Sequence, residues 1–302
     1  MYNIFCIIVN QIRYDMQFVF LSVCCSIIVA VLIKLARRRN INVQQLVLWN
    51  YPVTVLCTYL VLNPEIDEIA DLNLPYHLYI PLIILLPTLF IFIALAIKYS
   101  GIVKTDVAQR MSLFIPLLAS FILFDEKLHI NKGIGLGIGL LAVLCSVSWG
   151  KENSEISKDN KAAIYPLIVF IGMGIIDVLF KQIAQHKDIP YTTSMFIVFC
   201  GAMLFSFILL MLDIYVNKNK LDKRSIYWGF LLGGFNFANI FFYMKAHRSL
   251  PDNPSIVFTS MNIGVIVIGT IVGILLFKEK LSKINLIGLI LAIISIIIIT
   301  YL

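Results

Sequence analysis

Phe124-Asp125-Glu126-Lys127-Leu128 returns as Phe277-Lys278-Glu279-Lys280-Leu281, 153 residues further on (126 to 279) in a chain of 302. Each copy follows one long apolar run and precedes another. At the same offset, Ile134 and Gly135 fall on Ile287 and Gly288. A second echo lies near the start of each half, where Val31-Leu32-Ile33-Lys34 matches Val178-Leu179-Phe180-Lys181 at a spacing of 147 (31 to 178). Self-similarity at a long period sets the fold before any local feature does. The chain reads as two related halves.

Composition says where those halves reside. Apolar residues make up 60% of the chain and charged residues 14%, with a mean hydropathy of +0.92. A soluble domain carries about 25% charged residues. This chain cannot cover itself with polar surface, so lipid is its solvent. The net charge of +7 is no nucleic-acid footprint, because the basic residues sit in short clusters between apolar runs. Such clusters are topology signals.

Ten runs approach the roughly 20 residues that a bilayer requires. They cover 17–35, 43–62, 78–99, 105–124 and 131–149 in the first half, and 163–182, 192–216, 226–244, 255–277 and 284–302 in the second. The runs are continuous rather than alternating, which excludes a β-barrel. Residues 1–15 form an N-terminal extension too short to span. They lack the basic start of a signal peptide, and Met16 is an alternative start. A lipoprotein-like stretch at Leu21-Ser22-Val23-Cys24 fails because Val23 is too bulky before the cysteine and the apolar run continues beyond it.

The halves are 16–149 and 163–302, joined by the polar linker 150–162. Five spans per half is an odd number, so the second copy enters the membrane in the opposite sense. The fold class that follows is an all-α membrane protein of ten transmembrane helices in two inverted five-helix repeats, related by a pseudo-two-fold axis in the membrane plane. Basic residues set the orientation. Sixteen of the 24 Lys and Arg residues fall on one side, including Arg37, Arg38, Arg39, Lys223 and Arg224, and seven on the other, with Arg110 inside a span. The positive-inside rule makes the richer side cytoplasmic. Both termini and the acidic loop holding Glu65, Asp67, Glu68 and Asp71 then face outward.

Ten spans in two inverted halves, each with a Glu-Lys-Leu turn before a glycine-bearing final helix, resemble the drug/metabolite transporter superfamily, and most closely its EamA-like members. The resemblance covers about 16–302. Its most specific stretches are Ala108-Gln109-Arg110-Met111-Ser112-Leu113-Phe114-Ile115-Pro116 and the two Glu-Lys-Leu turns. It implies a carrier of small organic solutes, often an exporter, in the cell membrane, with a bacterial inner membrane as the setting. It also implies cytoplasmic termini, opposite to the charge count.

Candidate site residues are the polar ones at membrane depth. Arg110 lies in the second turn of the fourth span. A charge near mid-membrane costs roughly 2.5–3.5 kcal/mol on insertion scales, so it needs a partner or a wet cavity. It either pairs with Asp106 four residues back or holds an anionic group of a solute, with Ser112 beside it. Asp177 lies mid-span in the sixth helix with Lys181 four residues on. It either forms a structural pair or carries a proton that couples transport to a gradient.

Asn236 and Asn239 share one face of the eighth span. Thr259, Ser260 and Asn262 form a patch on the ninth, and Asn50 and Tyr51 mark the second. Each either binds a solute or bonds a neighbouring helix. Glu126 and Glu279 lie at helix ends on opposite faces, too far apart for acid/base catalysis, and read as caps. Gly133, Gly135, Gly137 and Gly139 form overlapping GxxxG pairs that suit close helix packing, within the chain or in a homodimer. Pro52, Pro87 and Pro116 lie in spans and can kink them.

The six cysteines (Cys6, Cys24, Cys25, Cys57, Cys145, Cys200) sit in apolar stretches without metal-ligand spacing. Neither a metal nor a cofactor is expected, and no nucleophile has a recognisable base. The expected activity is secondary transport of a small organic solute by alternating access, with solute and membrane lipid as partners and no nucleic acid. An intramembrane enzyme needs a catalytic dyad at membrane depth, which no spacing suggests. A non-transporting receptor or assembly protein needs large soluble loops, and these loops are short.

Overall fold

The computed structural model describes the chain except residues 1, 66–72, 101, 128, 147–160, 217, 278–282 and 302; within helices the side chains of 2–15, Lys98, 102–104, Asp106 and a few others lie outside the description. The linker 150–160, the core of the second Glu-Lys-Leu turn and most of the acidic loop therefore lie outside the described residues. So does any pairing of Asp106 with Arg110.

All regular structure among the described residues is helical. The helices are α1 (Tyr2–Arg38), α2 (Val43–Leu48), α3 (Asn50–Leu62), α4 (Tyr76–Ser100), α5 (Ile102–Met111), α6 (Phe114–Ile122), α7 (Ile130–Ser146), α8 (Lys161–Gln185), α9 (Tyr191–Tyr215), α10 (Lys223–Ser249), α11 (Pro254–Phe277) and α12 (Lys283–Tyr301). Residues 2–15 are helical and continuous with the first span rather than separate from it.

Among the described residues, six stretches are long and apolar enough to cross a membrane: Met16–Arg38, Val43–Leu62, Tyr76–Ile97, Ile164–Gln185, Tyr191–Tyr215 and Pro254–Leu276. Three more apolar helical stretches are shorter, Val107–Ile122, Ile130–Cys145 and Leu286–Ser295. The eighth predicted span falls inside α10, which is long but carries Asn236, Asn239, Tyr243, Lys245 and His247 among its apolar residues. Ile122 and Leu275 are 72% and 73% exposed, as apolar side chains facing lipid are.

Prolines set two of the breaks. Pro52 has no N–H to give the Leu48 carbonyl, and the run 43–62 splits at Trp49 into α2 and α3. Ser206 Oγ donates to that Leu48 oxygen over 3.4 Å. Pro116 acts in the same way on Ser112. The α5–α6 run breaks at Ser112 and Leu113, and Ile115 N turns to Ser112 O in a tighter turn at 3.1 Å. Pro87 differs, since α4 continues through it.

The chain divides into two compact units. One comprises Met1–Cys24, Phe92–Val178 and Phe242–Leu302, the other Cys25–Ile91 and Leu179–Phe241. Each draws on both sequence halves. In the first unit α7 packs on α12 and α11 through small residues. Ser295 Oγ donates to Gly135 O at 2.7 Å, and a Cβ on Gly139 would lie 2.7 Å from Ser295 Oγ and 3.0 Å from Ile263 Cδ1. Lipid tails are as apolar as leucine, so close backbone approach of this kind holds membrane helices together. Two of the glycine-stripe residues thus pack within the chain, while Gly137 has nothing within 4 Å.

Glu126 is a cap in this unit. Its carboxylate accepts from Ser255 N (2.9 Å) and Ser255 Oγ at the start of α11, and from Lys132 Nζ on α7. Lys132 Nζ also donates to Asn253 Oδ1 at 2.7 Å. A carboxylate at a helix N-terminus satisfies orphan N–H groups and complements the dipole.

In the second unit, Leu32, Ala36, Ile41, Leu46, Val47 and Leu232 form the buried core where α1 and α2 meet α10. Asn42 caps α2 by accepting from Gln45 N (3.1 Å). Gln45 is fully buried and ties α2 to the end of α9 and to the α9–α10 loop. Its Nε2 donates to Asp213 Oδ2 and to Lys220 O, both at 3.1 Å, and its Oε1 accepts from Asp222 N at 2.9 Å.

Candidate functional site

Two groups of contacting polar side chains lie within the apolar helices, one in each unit. In the first unit Asp177 projects from α8, half-buried, and accepts a hydrogen bond from Tyr243 Oη of α10 at 3.0 Å. One helical turn later His247 packs edge-on against Tyr243, with ring centroids 4.6 Å apart. Phe258 of α11 closes on the other side of the imidazole at 4.7 Å. Tyr243, His247 and Phe258 are all buried. A carboxylate on α8 and a phenol and an imidazole on α10 thus line up, with the Phe258 ring of α11 against the imidazole. A carboxylate held this way can be charged or hold a proton, and the phenol fixes its direction in either state.

Directly after Phe258, the Thr259 and Ser260 hydroxyls are buried without a hydrogen-bond partner among the described residues. Serine and threonine in apolar helices usually donate to a carbonyl one turn back, and these two hydroxyls depart from that pattern. Asn262 is committed, since its Nδ2 donates to Phe258 O at 3.0 Å. Arg110 lies in the last turn of α5 and Ser112 in the α5–α6 break. Arg110 is half-buried, and the buried Ser112 gives its hydroxyl to Gln109 O at 2.6 Å.

In the second unit Asn236 Nδ2 donates to Asn50 Oδ1 at 3.1 Å. Asn50 Nδ2 donates to the Val47 carbonyl, and Thr54 Oγ1 lies 3.1 Å from Asn50 O, 3.2 Å from Asn50 Oδ1 and 3.4 Å from Gly233 O. Two glycines of α10 admit this approach. A Cβ on Gly233 would lie 2.4 Å from Asn50 O, and one on Gly229 would lie 2.5 Å from Trp49 Cβ. Asn239 is half-buried one turn beyond Asn236, and Lys181 is fully buried. The sequence candidates therefore divide: Arg110, Ser112, Asp177, Thr259 and Asn262 in one unit, and Lys181, Asn236 and Asn239 in the other.

Tyr243, His247 and Thr54 are the participants that sequence reading passed over. A signal for the first two exists. Asn236, Asn239, Tyr243 and His247 fall at i, i+3, i+7 and i+11, one polar stripe along α10.

Residues 160–301 match the model of the EamA-like transporter family. An uncharacterized protein of Haemophilus influenzae (strain ATCC 51907 / DSM 11121 / KW20 / Rd) is 39% identical over 289 residues, covering 93% of this chain and 96% of the relative. The chain belongs to the EamA-like transporter family. This EamA-like protein is accordingly a multi-pass membrane protein of the drug/metabolite transporter superfamily. One crystal structure, of a protein 12% identical, aligns with a TM-score of 0.72 over 95% of this chain and 96% of that one. At that identity the likeness shows the fold of the EamA-like chain alone.

Proposed function

We propose that the protein is a secondary transporter that moves a small organic solute across the cell membrane by alternating access, with Asp177 as the carboxylate that couples flux to a proton gradient. The frame is ten transmembrane helices in two inverted five-helix repeats, 16–149 and 163–302. The observation that carries the reading is the Asp177–Tyr243 hydrogen bond inside an apolar span of an EamA-like chain. Intramembrane carboxylates are rare and face protein or water rather than lipid. The uncommitted hydroxyls of Thr259 and Ser260 supply neutral hydrogen-bonding groups for the solute. Arg110 and Ser112 at the α5–α6 break, Asn236 and Asn239 on α10, and Asn262 on α11 are further candidate contacts. Broken spans fit this use, because carriers build solute sites at discontinuous helices.

The test is flux in proteoliposomes across a panel of small amines, amino acids and neutral metabolites, with and without an imposed pH gradient. At least one solute is expected to move faster with the gradient and to exchange without it. Solute movement that ignores the gradient under all conditions rejects the coupling role, and absence of flux for every solute rejects transport of these classes.

A further inference from the structure

We infer that the end of the second unit where α1 meets the α9–α10 loop is a binding surface for anionic phospholipid headgroups. Arg37 and Arg38 end α1, Arg39 follows directly, and all three are exposed. Lys218, Lys220, Lys223 and Arg224 lie in the α9–α10 loop and the start of α10, and these are also exposed. Hydrogen bonds bring the two segments together. Arg224 donates to Arg39 O at 3.4 Å and to Asn40 O at 3.1 Å. Asn42 N donates to Asp222 Oδ2 at 3.2 Å, and Gln45 ties Lys220 O and Asp222 N to α2.

The surface is strongly one-signed. Of the two carboxylates in these segments, Asp213 is buried against Gln45 and Asn219. Asp222 is partly covered and already engaged by Arg224 at 3.2 Å. Aromatic residues set its level in the membrane. The Arg39 guanidinium lies over the Trp228 ring at 5.4 Å, and Tyr215 and Tyr227 are 76% and 78% exposed beside it. Tryptophan and tyrosine gather at the headgroup level. Clusters of four to eight basic residues next to a span attract anionic lipid, by about one factor of five for each charge. Buried Gln45, which fastens the α9–α10 loop to α2, makes the cluster a fixed arrangement rather than a set of independent side chains.

The occupant is a membrane lipid rather than a free anion, because the cations stand at the end of apolar helices beside interfacial aromatics. The site is independent of which solute is carried, so its test reads lipid binding and not flux. Full-length protein in detergent is titrated with chain-labelled phosphatidylglycerol and with phosphatidylcholine of the same acyl chains. Phosphatidylglycerol is expected to bind more tightly, with a preference that shrinks as salt rises from about 0.05 to 0.5 M. Arg37→Gln with Arg38→Gln and Lys223→Gln is expected to weaken phosphatidylglycerol roughly a hundredfold and leave phosphatidylcholine unchanged. Arg39 and Arg224 stay intact in that variant because they build the surface. The pair Lys127→Gln and Lys187→Gln, also exposed, is expected to change neither. Equal binding of the two lipids, insensitivity to salt, a triple variant within threefold of wild type, or displacement by inorganic phosphate at lipid concentrations would each overturn the assignment.

Discussion

Tyr243 Oη donates to Asp177 across 3.0 Å and joins α8 to α10 within one compact unit. Interhelical hydrogen bonds in membranes are worth about 0.6 kcal/mol on average and up to about 1.7. Tyr243→Phe keeps the ring against His247 and removes only the donor. Asp177→Asn keeps the shape and removes the charge. Each variant is expected to lower the thermal midpoint in detergent, and the double variant to lose less than the sum, with a coupling of about 1 kcal/mol. Strictly additive losses would mean that the two groups do not interact.

Gly233 and Gly234 are neighbours with opposite surroundings. A Cβ at Gly233 meets Asn50 O at 2.4 Å and Val53 Cβ at 2.9 Å, whereas one at Gly234 meets nothing within 4 Å. Overpacking costs about 1–3 kcal/mol where side chains can shift, and here the obstacle is backbone. Gly233→Ala is therefore expected to lose most folded protein in a detergent size-exclusion assay. Gly234→Ala is expected to match wild type or gain up to about 1 kcal/mol from the better helix former. Equal behaviour of the two would rule out the tight α3–α10 approach.

Glu126 receives Lys132 and both donors of Ser255, with almost no exposure of its own. Removing one member of a buried ion pair costs about 3–5 kcal/mol. Glu126→Ala is expected to lower the thermal midpoint sharply, Glu126→Gln less, and Glu126→Gln with Lys132→Met less than Glu126→Ala. A thermal scan of the three decides it; an unaffected Glu126→Ala protein would remove the cap from the account.

Local chemistry was legible in the sequence and long-range register was not. Prolines inside apolar runs marked places to kink, and two of the three, Pro52 and Pro116, coincide with breaks at Trp49 and Ser112–Leu113, while α4 runs on through Pro87. Glu126 read as a helix-end residue from its place in the repeat, and it caps α11, a helix about 130 positions away in sequence, which the repeat alone does not name. The same limit applies to Asp177. Its depth in a span was visible, but the group that donates to it is Tyr243, 66 residues away, whose selection depends on how α8 meets α10. On α10 the Asn236–Asn239 face was visible, whereas its continuation through Tyr243 and His247 was not singled out. Gly229 and Gly233 look like any helical glycines until Trp49 and Asn50 are set against them.

The Asp222 carboxyl carries a pH dependence with a definite sign. Desolvation pushes it upward, but hydrogen bonds from the Arg224 side chain and from the N–H groups of Asn42 and Arg224, with the Arg224 charge, hold it below the ordinary carboxylate range. A lowered folded-state pKa means that the ionised form favours the fold. Its contribution is present above the unfolded value of about 3.9 and is lost as pH falls through the folded value. Arg224 is 61% exposed, so the effect is small and screened by salt. Asp222→Asn is expected to melt slightly below wild type at pH 7, with the gap closing below about pH 4. A gap constant from pH 7 to pH 3 would assign the difference to packing.

Asp177 and Lys181 stand four residues apart on α8, and the role of the carboxylate turns on what neutralising each one does. A charge at this depth is tolerated through a partner or through a proton. If the proton is the working answer, Asp177→Asn holds the group permanently in its neutral shape. Protein yield and solute exchange are then expected to persist, while acceleration by a pH gradient falls at least tenfold. Adding Lys181→Gln is not expected to restore it, because no titratable carboxyl remains. If Lys181 serves only to balance Asp177, the neutral double variant is expected to recover gradient-driven flux that the single variant lost. Proteoliposome flux of wild type, Asp177→Asn, Lys181→Gln and the double variant separates the two cases. Recovery in the double variant would make Asp177 a structural charge and move the coupling group elsewhere in the chain.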